Sequence, residues 1–206
     1  MTLQSGYHKK GELHVINREQ QIITWLREEP LHMRALLQAS PLGLNDAWLA
    51  AGFVRNLVWD RLHGYENATP LNDIDVVYFN PEDCSVAKDE HYEQLLLEKS
   101  PDFPWSVKNQ ARMHERHGHA PYVSSAQAMS HWVEVETAIG ARINAAGQIE
   151  LNAPLGLDAL FTFTITPNPR HAIAAVFAER VSSKGWLARW PKLRVQVPIE
   201  RKSLSL

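Results

Sequence analysis

The chain has one cysteine, Cys84, so no internal disulfide framework holds it together, and a reducing compartment is the natural expectation. Charge of neither sign dominates. There are 21 Lys and Arg against 23 Asp and Glu, a formal net charge of −2. Nothing in that balance pulls the molecule toward a polyanion, and nucleic acid is not an expected partner. Long apolar runs are missing as well. None approaches the ~20 residues needed to span a bilayer, and the first twenty residues contain no apolar stretch of the kind a secretory leader has. The expectation is a cytoplasmic chain with no membrane partner. Repeats and low-complexity tracts are also lacking. What is present is ordinary globular composition, 45% hydrophobic and 21% charged over 206 residues. That suits a single domain, residues 1–206, with its core at about 45–165 and helical additions at both ends.

The apolar pattern changes period along the chain. The first dozen residues read as a loose arm. Ile22, Ile23 and Leu26 recur at helical spacing, and Pro30 breaks that pattern before a second short helix. Residues 47–51 read as a buried strand ended by Gly52. Val54, Leu57, Val58 and Leu62 then trace the apolar stripe of a helix, closed at His63-Gly64. A polar loop leads into Asp73-Ile74-Asp75-Val76-Val77-Tyr78-Phe79, rich in strand formers. A charged helix is expected near 90–99 and a strand at 105–110. Next come a His-rich loop, a helix from about Ser125, and a hairpin of 141–143 with 149–151 around Gly147. The tail is partly helical from 172 to 193 and strand-like at 195–197. Strands and helices mix without regular alternation, which predicts an α+β fold with a mixed β-sheet flanked by helices.

Chemistry concentrates in one unit: strand, Gly52, helix, then an Asp-x-Asp strand. Alternation along a strand puts Asp73 and Asp75 on one face while Ile74 and Val76 turn to the core. Two neighbouring carboxylates repel unless a cation lies between them. Hard oxygen ligands suit Mg²⁺, which commonly takes one or two carboxylates and completes its shell with water and phosphate oxygens. Taken alone, Asp-x-Asp also describes a solvated strand end. Gly52 at a strand-to-helix junction tips the balance, because backbone amides there can approach a phosphate at a helix N-terminus. Arg55 in the first turn is positioned to add a phosphate contact.

Ala51-Gly52-Phe53-Val54-Arg55-Asn56 resembles the Gly-Gly-x-Val-Arg-Asp stretch of tRNA nucleotidyltransferases and poly(A) polymerases, and Asp73-Ile74-Asp75 resembles their metal-binding pair. More of the chain resembles a bacterial family of uncharacterised nucleotidyltransferase-like proteins in the DNA polymerase beta-type nucleotidyltransferase superfamily. The matching stretches are AGFVRN (51–56), TPLNDIDVVYF (69–79), WSVKNQARMH (105–114), APLGLDALF (153–161) and WPKLRV (190–195). The resemblance implies a nucleoside triphosphate held over Gly52 and the aspartates, with Mg²⁺ on Asp73 and Asp75. It implies metal-dependent transfer of a nucleotidyl group to an acceptor the sequence does not name, a small molecule or a protein hydroxyl. Ala51 replaces the first glycine of the pattern and Asn56 its aspartate. The superfamily commonly adds a third carboxylate from an adjacent strand. Here Glu150 is one candidate for that place, and Asn109 is another, as an amide. Without that carboxylate the alternative is a catalytically silent nucleotide-binding or regulatory module of the same fold.

Other residues invite blander readings. In His114-Glu115-Arg116-His117-Gly118-His119 the second histidine comes one residue too early for the zinc-helix spacing, so a surface loop is expected. Lys108 and Arg112 either neutralise phosphate or solvate a sheet edge. Lys184, Arg189, Lys192 and Arg194 read as a solvated basic face. The tryptophans read as core, and Cys84 as inert.

Overall fold

The computed structural model describes residues 17–171 and 173–197; the expected N-terminal arm lies outside them. In chain order the elements are α1 (Arg18–Glu28), α2 (Pro30–Ala39), β1 (Trp48–Ala50), α3 (Gly52–His63), β2 (Ile74–Tyr78), α4 (Val86–Lys99), β3 (Trp105–Asn109), α5 (Ser125–Met129), β4 (Gly140–Ile143), β5 (Ile149–Asn152), β6 (Thr164–Ile165), α6 (Ala174–Ser183), α7 (Trp186–Arg189) and β7 (Arg194–Val195). Pro30 stands in the first turn of α2, where its missing N–H costs nothing, so the proline opens that helix.

Five strands form a mixed sheet in the order β3-β2-β1-β4-β5. β2 and β3 run parallel across the α4 crossover, and every other neighbouring pair in this sheet is antiparallel. This is the α+β architecture expected from the mixed pattern of periods. Ile74, Val76 and Tyr78 of β2 point to one face and are almost completely buried. They join Leu49, Val107 and Ala141 of their neighbours and the inner sides of α1 and α3 in the main core. A second apolar cluster forms at the C-terminal end, where Trp59 of α3 meets Phe177, Trp186, Trp190 and Leu193. The rings of Trp186 and Trp190 stand edge-on to Trp59 at centroid separations of 5.9 and 5.1 Å. No helix among the described residues is long and apolar enough to cross a membrane.

Two buried polar residues tie this frame together. Asp60 of α3, 1% exposed, accepts hydrogen bonds from the Thr69 amide (2.6 Å), the Thr69 hydroxyl (2.8 Å) and Trp190 Nε1 (2.7 Å). One carboxylate therefore fastens the loop before β2 and the C-terminal segment to the same helix. His32 of α2 lies against Phe53, its Nε2 3.0 Å from the Phe53 carbonyl oxygen. Burial pulls His32 down to about 4 from an ordinary 6.5. The unfolded chain therefore takes up this proton first, and stability falls as the pH drops from 6.5 toward 4. The loss is on the order of 3 kcal/mol. Denaturant unfolding at pH 7 and pH 4 should show His32→Gln losing that much less than the parent. Equal losses in the two proteins would sink this account.

Candidate active site

The β1–α3 junction is the first half of the site. Ala51 N–H donates to the Ile139 carbonyl oxygen at 2.8 Å, and Ala51 adopts φ 55°, ψ −121°. This conformation favours glycine, and it falls at the position where the related pattern has its first glycine. Gly52 itself has no such φ; a Cβ there would lie 3.2 Å from Asn56 Nδ2 and 3.5 Å from an Arg55 terminal nitrogen. Gly52 therefore supplies room, and Ala51 carries the strain. Ala51→Gly should stabilise the protein by about 1 kcal/mol, since relief of strain exceeds the added chain entropy. A lower denaturation midpoint for the variant would contradict this. No side chain among the described residues caps the start of α3, and Ala51 and Gly52 at that start line the adjoining cleft.

β2 supplies the second half. Asp75 pairs in register with Ala50 of β1 and Ser106 of β3. Asp73, just ahead of the strand, lines the same cleft as Asp75, Gly52 and Arg55. Burial, and then the Asp73 charge, raise Asp75 to about 6, with Arg55 and two lysines opposing. Asp73 is pushed up too, by loss of water within the cleft, although more of its surface is exposed; Lys184 and Lys108 act against that shift. Burial and mutual repulsion thus disfavour two ionised carboxylates here, a cost that a bound cation would relieve.

Arg55 is built into the wall. Its guanidinium packs against the edge-to-face pair of Trp59 and Trp186, 5.0 and 4.6 Å from their ring centroids. It donates to the Thr137 hydroxyl (2.7 Å) and to Asn56 Oδ1 (2.9 Å). Thr137 in turn donates to Glu134, whose two oxygens also accept from Arg180 at 2.6 and 3.1 Å. Burial draws Arg55 down to about 10, against the pull of Glu134, so it remains charged at neutral pH. Arg55 Nε and Trp59 Nε1 are buried without a partner among the described residues. Thr137, Glu134 and Arg180 carry no local motif, and only the fold reveals them as neighbours of Arg55.

The cleft has two compartments that share Ala51, Asp73, Asp75, Thr137, Arg180 and Lys184. The smaller, about 210 Å³, reaches Gly52, Arg55 and Asn56. The larger, about 470 Å³, runs along Ser106 and Lys108 toward His117, His131 and His171. Lys108 is thereby brought beside the aspartates, on the face it shares with Ser106. The loop of 114–119 is largely exposed, as expected, but it also borders the larger compartment. Lys184 and Arg189 are exposed and also line the cleft.

Neither candidate for the third polar ligand is brought to the aspartates. Asn109 pairs in register with Tyr78, so its side chain leaves the opposite face of the sheet from Asp75. There it is fully buried and satisfied, accepting from the Asn80 and Ala111 amides and donating to the Asn80 and Asp83 carbonyl oxygens. Glu150 points to the same face as Asp75, but β5 is three strands from β2, ~14 Å across the sheet. It pairs with Arg142 (2.8 Å) and accepts from Asn144 (2.7 Å). The positions flanking Asp75 are Ala50 and Ser106, and neither is acidic. Among the described residues, no three His, Cys, Asp or Glu side chains converge as a metal site.

A nucleotidyltransferase family model matches residues 38–195. One solved structure, an NMR structure of a protein described as revealing a CCA-adding enzyme head domain, is 35% identical. It covers 91% of this chain and 100% of its own, with a TM-score of 0.78. A complex of a CCA-adding enzyme with CTP is 11% identical at a TM-score of 0.53. That match covers 87% of this chain but only 43% of the enzyme, and it shows likeness of fold alone. No curated protein matches. With the mixed five-stranded sheet of a nucleotidyltransferase head domain and a family match over most of its length, the chain belongs to the nucleotidyltransferase family.

Proposed function

We propose that the cleft binds a nucleoside triphosphate with Mg²⁺ and transfers its nucleotidyl group to the hydroxyl of an acceptor. The observation that carries this reading is the meeting of Asp73 and Asp75 with the uncapped start of α3 in one cleft. The carboxylate pair suits a hard divalent cation: two oxygen donors, one of them destabilised by burial and by its neighbour. When bound, Mg²⁺ would polarise the phosphate and offset charge on the attacking and leaving oxygens.

The chain's own residues supply the rest. Asp73 and Asp75 hold the cation. The amides at Gly52 and the buried, tryptophan-stacked Arg55 hold the phosphates, with Lys108 on the far side of the aspartates. In the transfer, a bond forms between the acceptor oxygen and the α-phosphorus as the α–β phosphoanhydride bond breaks. Pyrophosphate leaves, and the hydroxyl proton is released to water. The similar CCA-adding enzyme whose structure holds CTP supports a nucleoside triphosphate as donor. The near-neutral charge of the chain favours a small molecule or a protein hydroxyl over nucleic acid as acceptor. A second reading, a nucleotide-binding module that transfers nothing, draws on the non-acidic neighbours of Asp75.

The test is calorimetric titration with the four common ribonucleoside triphosphates, with and without Mg²⁺. The proposal expects binding that needs the metal. Absence of binding by all four would overturn both readings.

A further inference from the structure

The larger compartment is lined by Lys108, Arg116, Arg180 and Lys184 beside Asp73 and Asp75. Arg180 is paired with Glu134, and Lys108 lies 3.8 Å from Glu93. Arg116 and Lys184 therefore stand against the two aspartates, and a cation on those two would leave the wall positive. Part of the compartment's wall belongs to a histidine cluster. Ring centroids lie 4.6 Å apart for His119 and His131, and 5.5 Å for His117 and His171. Tyr122 stacks on His131 at 5.4 Å. The cluster is only partly used by the fold. His119 Nδ1 meets the Tyr122 hydroxyl at 2.6 Å, and His171 Nδ1 meets the His131 carbonyl oxygen at 3.2 Å. Among the described residues, His131 Nδ1 and His171 Nε2 are buried with no partner. A buried nitrogen left unsatisfied is costly, and both residues line this one compartment, which points to a ligand.

We propose that this compartment is the acceptor subsite, taking a small hydroxyl compound that bears a phosphate or carboxylate held among Arg116, His131 and His171. This rests on the nucleotidyl-transfer reading of the cleft. At about 470 Å³ the space matches a small molecule. It joins the triphosphate compartment at the aspartates, so an acceptor anchored at the histidines can extend its hydroxyl toward the α-phosphorus. Burial, and then neighbouring histidines, hold His117 and His131 below the ordinary imidazole value. Neutral rings offer N–H donors and avoid mutual repulsion, and an arriving anion favours their protonation.

The experiment follows the histidine ring C–H signals of the full chain by NMR. Ribose 5-phosphate, D-gluconate and unphosphorylated ribose are added separately, without nucleotide. At least one of the two anions should shift His131 and His171 saturably while ribose does not, and the anion that does so identifies phosphate or carboxylate as the handle. The His131→Gln/His171→Gln double variant should weaken that anion at least tenfold and Mg²⁺-CTP less than threefold, with a thermal melt verifying the fold. No shift with either anion overturns the subsite alone. CTP moving both histidines as strongly as the anion also overturns it, making the compartment a nucleobase site. Anion binding in a protein that binds no Mg²⁺-triphosphate overturns the acceptor role through the parent reading.

Discussion

Asp75→Asn should abolish Mg²⁺-dependent triphosphate binding and, at neutral pH, make the protein more stable. Both effects come from the same carboxylate. Asp75 lies on β2 between Ala50 and Ser106, half-buried, with Asp73 two residues away. Its folded value, about 6, lies above the unfolded 3.8. The native state therefore holds the proton that the unfolded chain has released, and the cost of folding grows as pH rises through that window. The shift corresponds to ~3 kcal/mol, which solvent screening in a half-open cleft reduces to ~1–2 kcal/mol. Asparagine cannot ionise, so the variant should gain that much at pH 7 and nothing at pH 3. Calorimetry should find no metal-dependent binding of triphosphate, and Asp73→Asn should lose binding as well. A variant that binds Mg²⁺-triphosphate like the parent would remove the aspartates from the site. One that loses binding together with its fold would show that Asp75 is structural.

Asp60→Ala is expected to be the most damaging single change to the frame. It strips partners from the Thr69 amide, the Thr69 hydroxyl and Trp190 Nε1 at once. With each bond to a buried charged acceptor contributing ~1.5 kcal/mol or more, the expected loss is about 4 kcal/mol. The damage should also reach the site. Thr69 begins the loop that delivers Asp73, while Trp190 holds the cluster in which Trp186 covers Arg55. Triphosphate affinity should therefore fall in conditions where the variant is still folded. Denaturant unfolding gives the first quantity and calorimetry the second. A stability change below 1 kcal/mol would mean that water replaces these bonds without cost.

Much of the frame was legible because it depends on local pattern. Val54, Leu57 and Val58 announce α3 by their spacing, and alternation in 73–79 sends Ile74 and Val76 inward and Asp75 outward. Alternation also argues against Asn109 as a ligand once Lys108 is placed beside the aspartates, since adjacent strand residues face opposite ways. Glu150 is different. Its residue type and strand were readable, but only the strand order β3-β2-β1-β4-β5 puts it three strands from Asp75.

The sequence by itself determined the periods, the strand-glycine-helix unit and the carboxylate pair, because each depends on neighbours within a few residues along the chain. The tertiary structure alone decided what surrounds them. Arg55 meets Trp186, Thr137 joins it to Glu134 and Arg180, and His117 and His119 meet His131 and His171 across long separations in the chain. Such contacts have no period or spacing to read. They follow from which faces the sheet and helices bury together, a property of the packed whole rather than of any one segment.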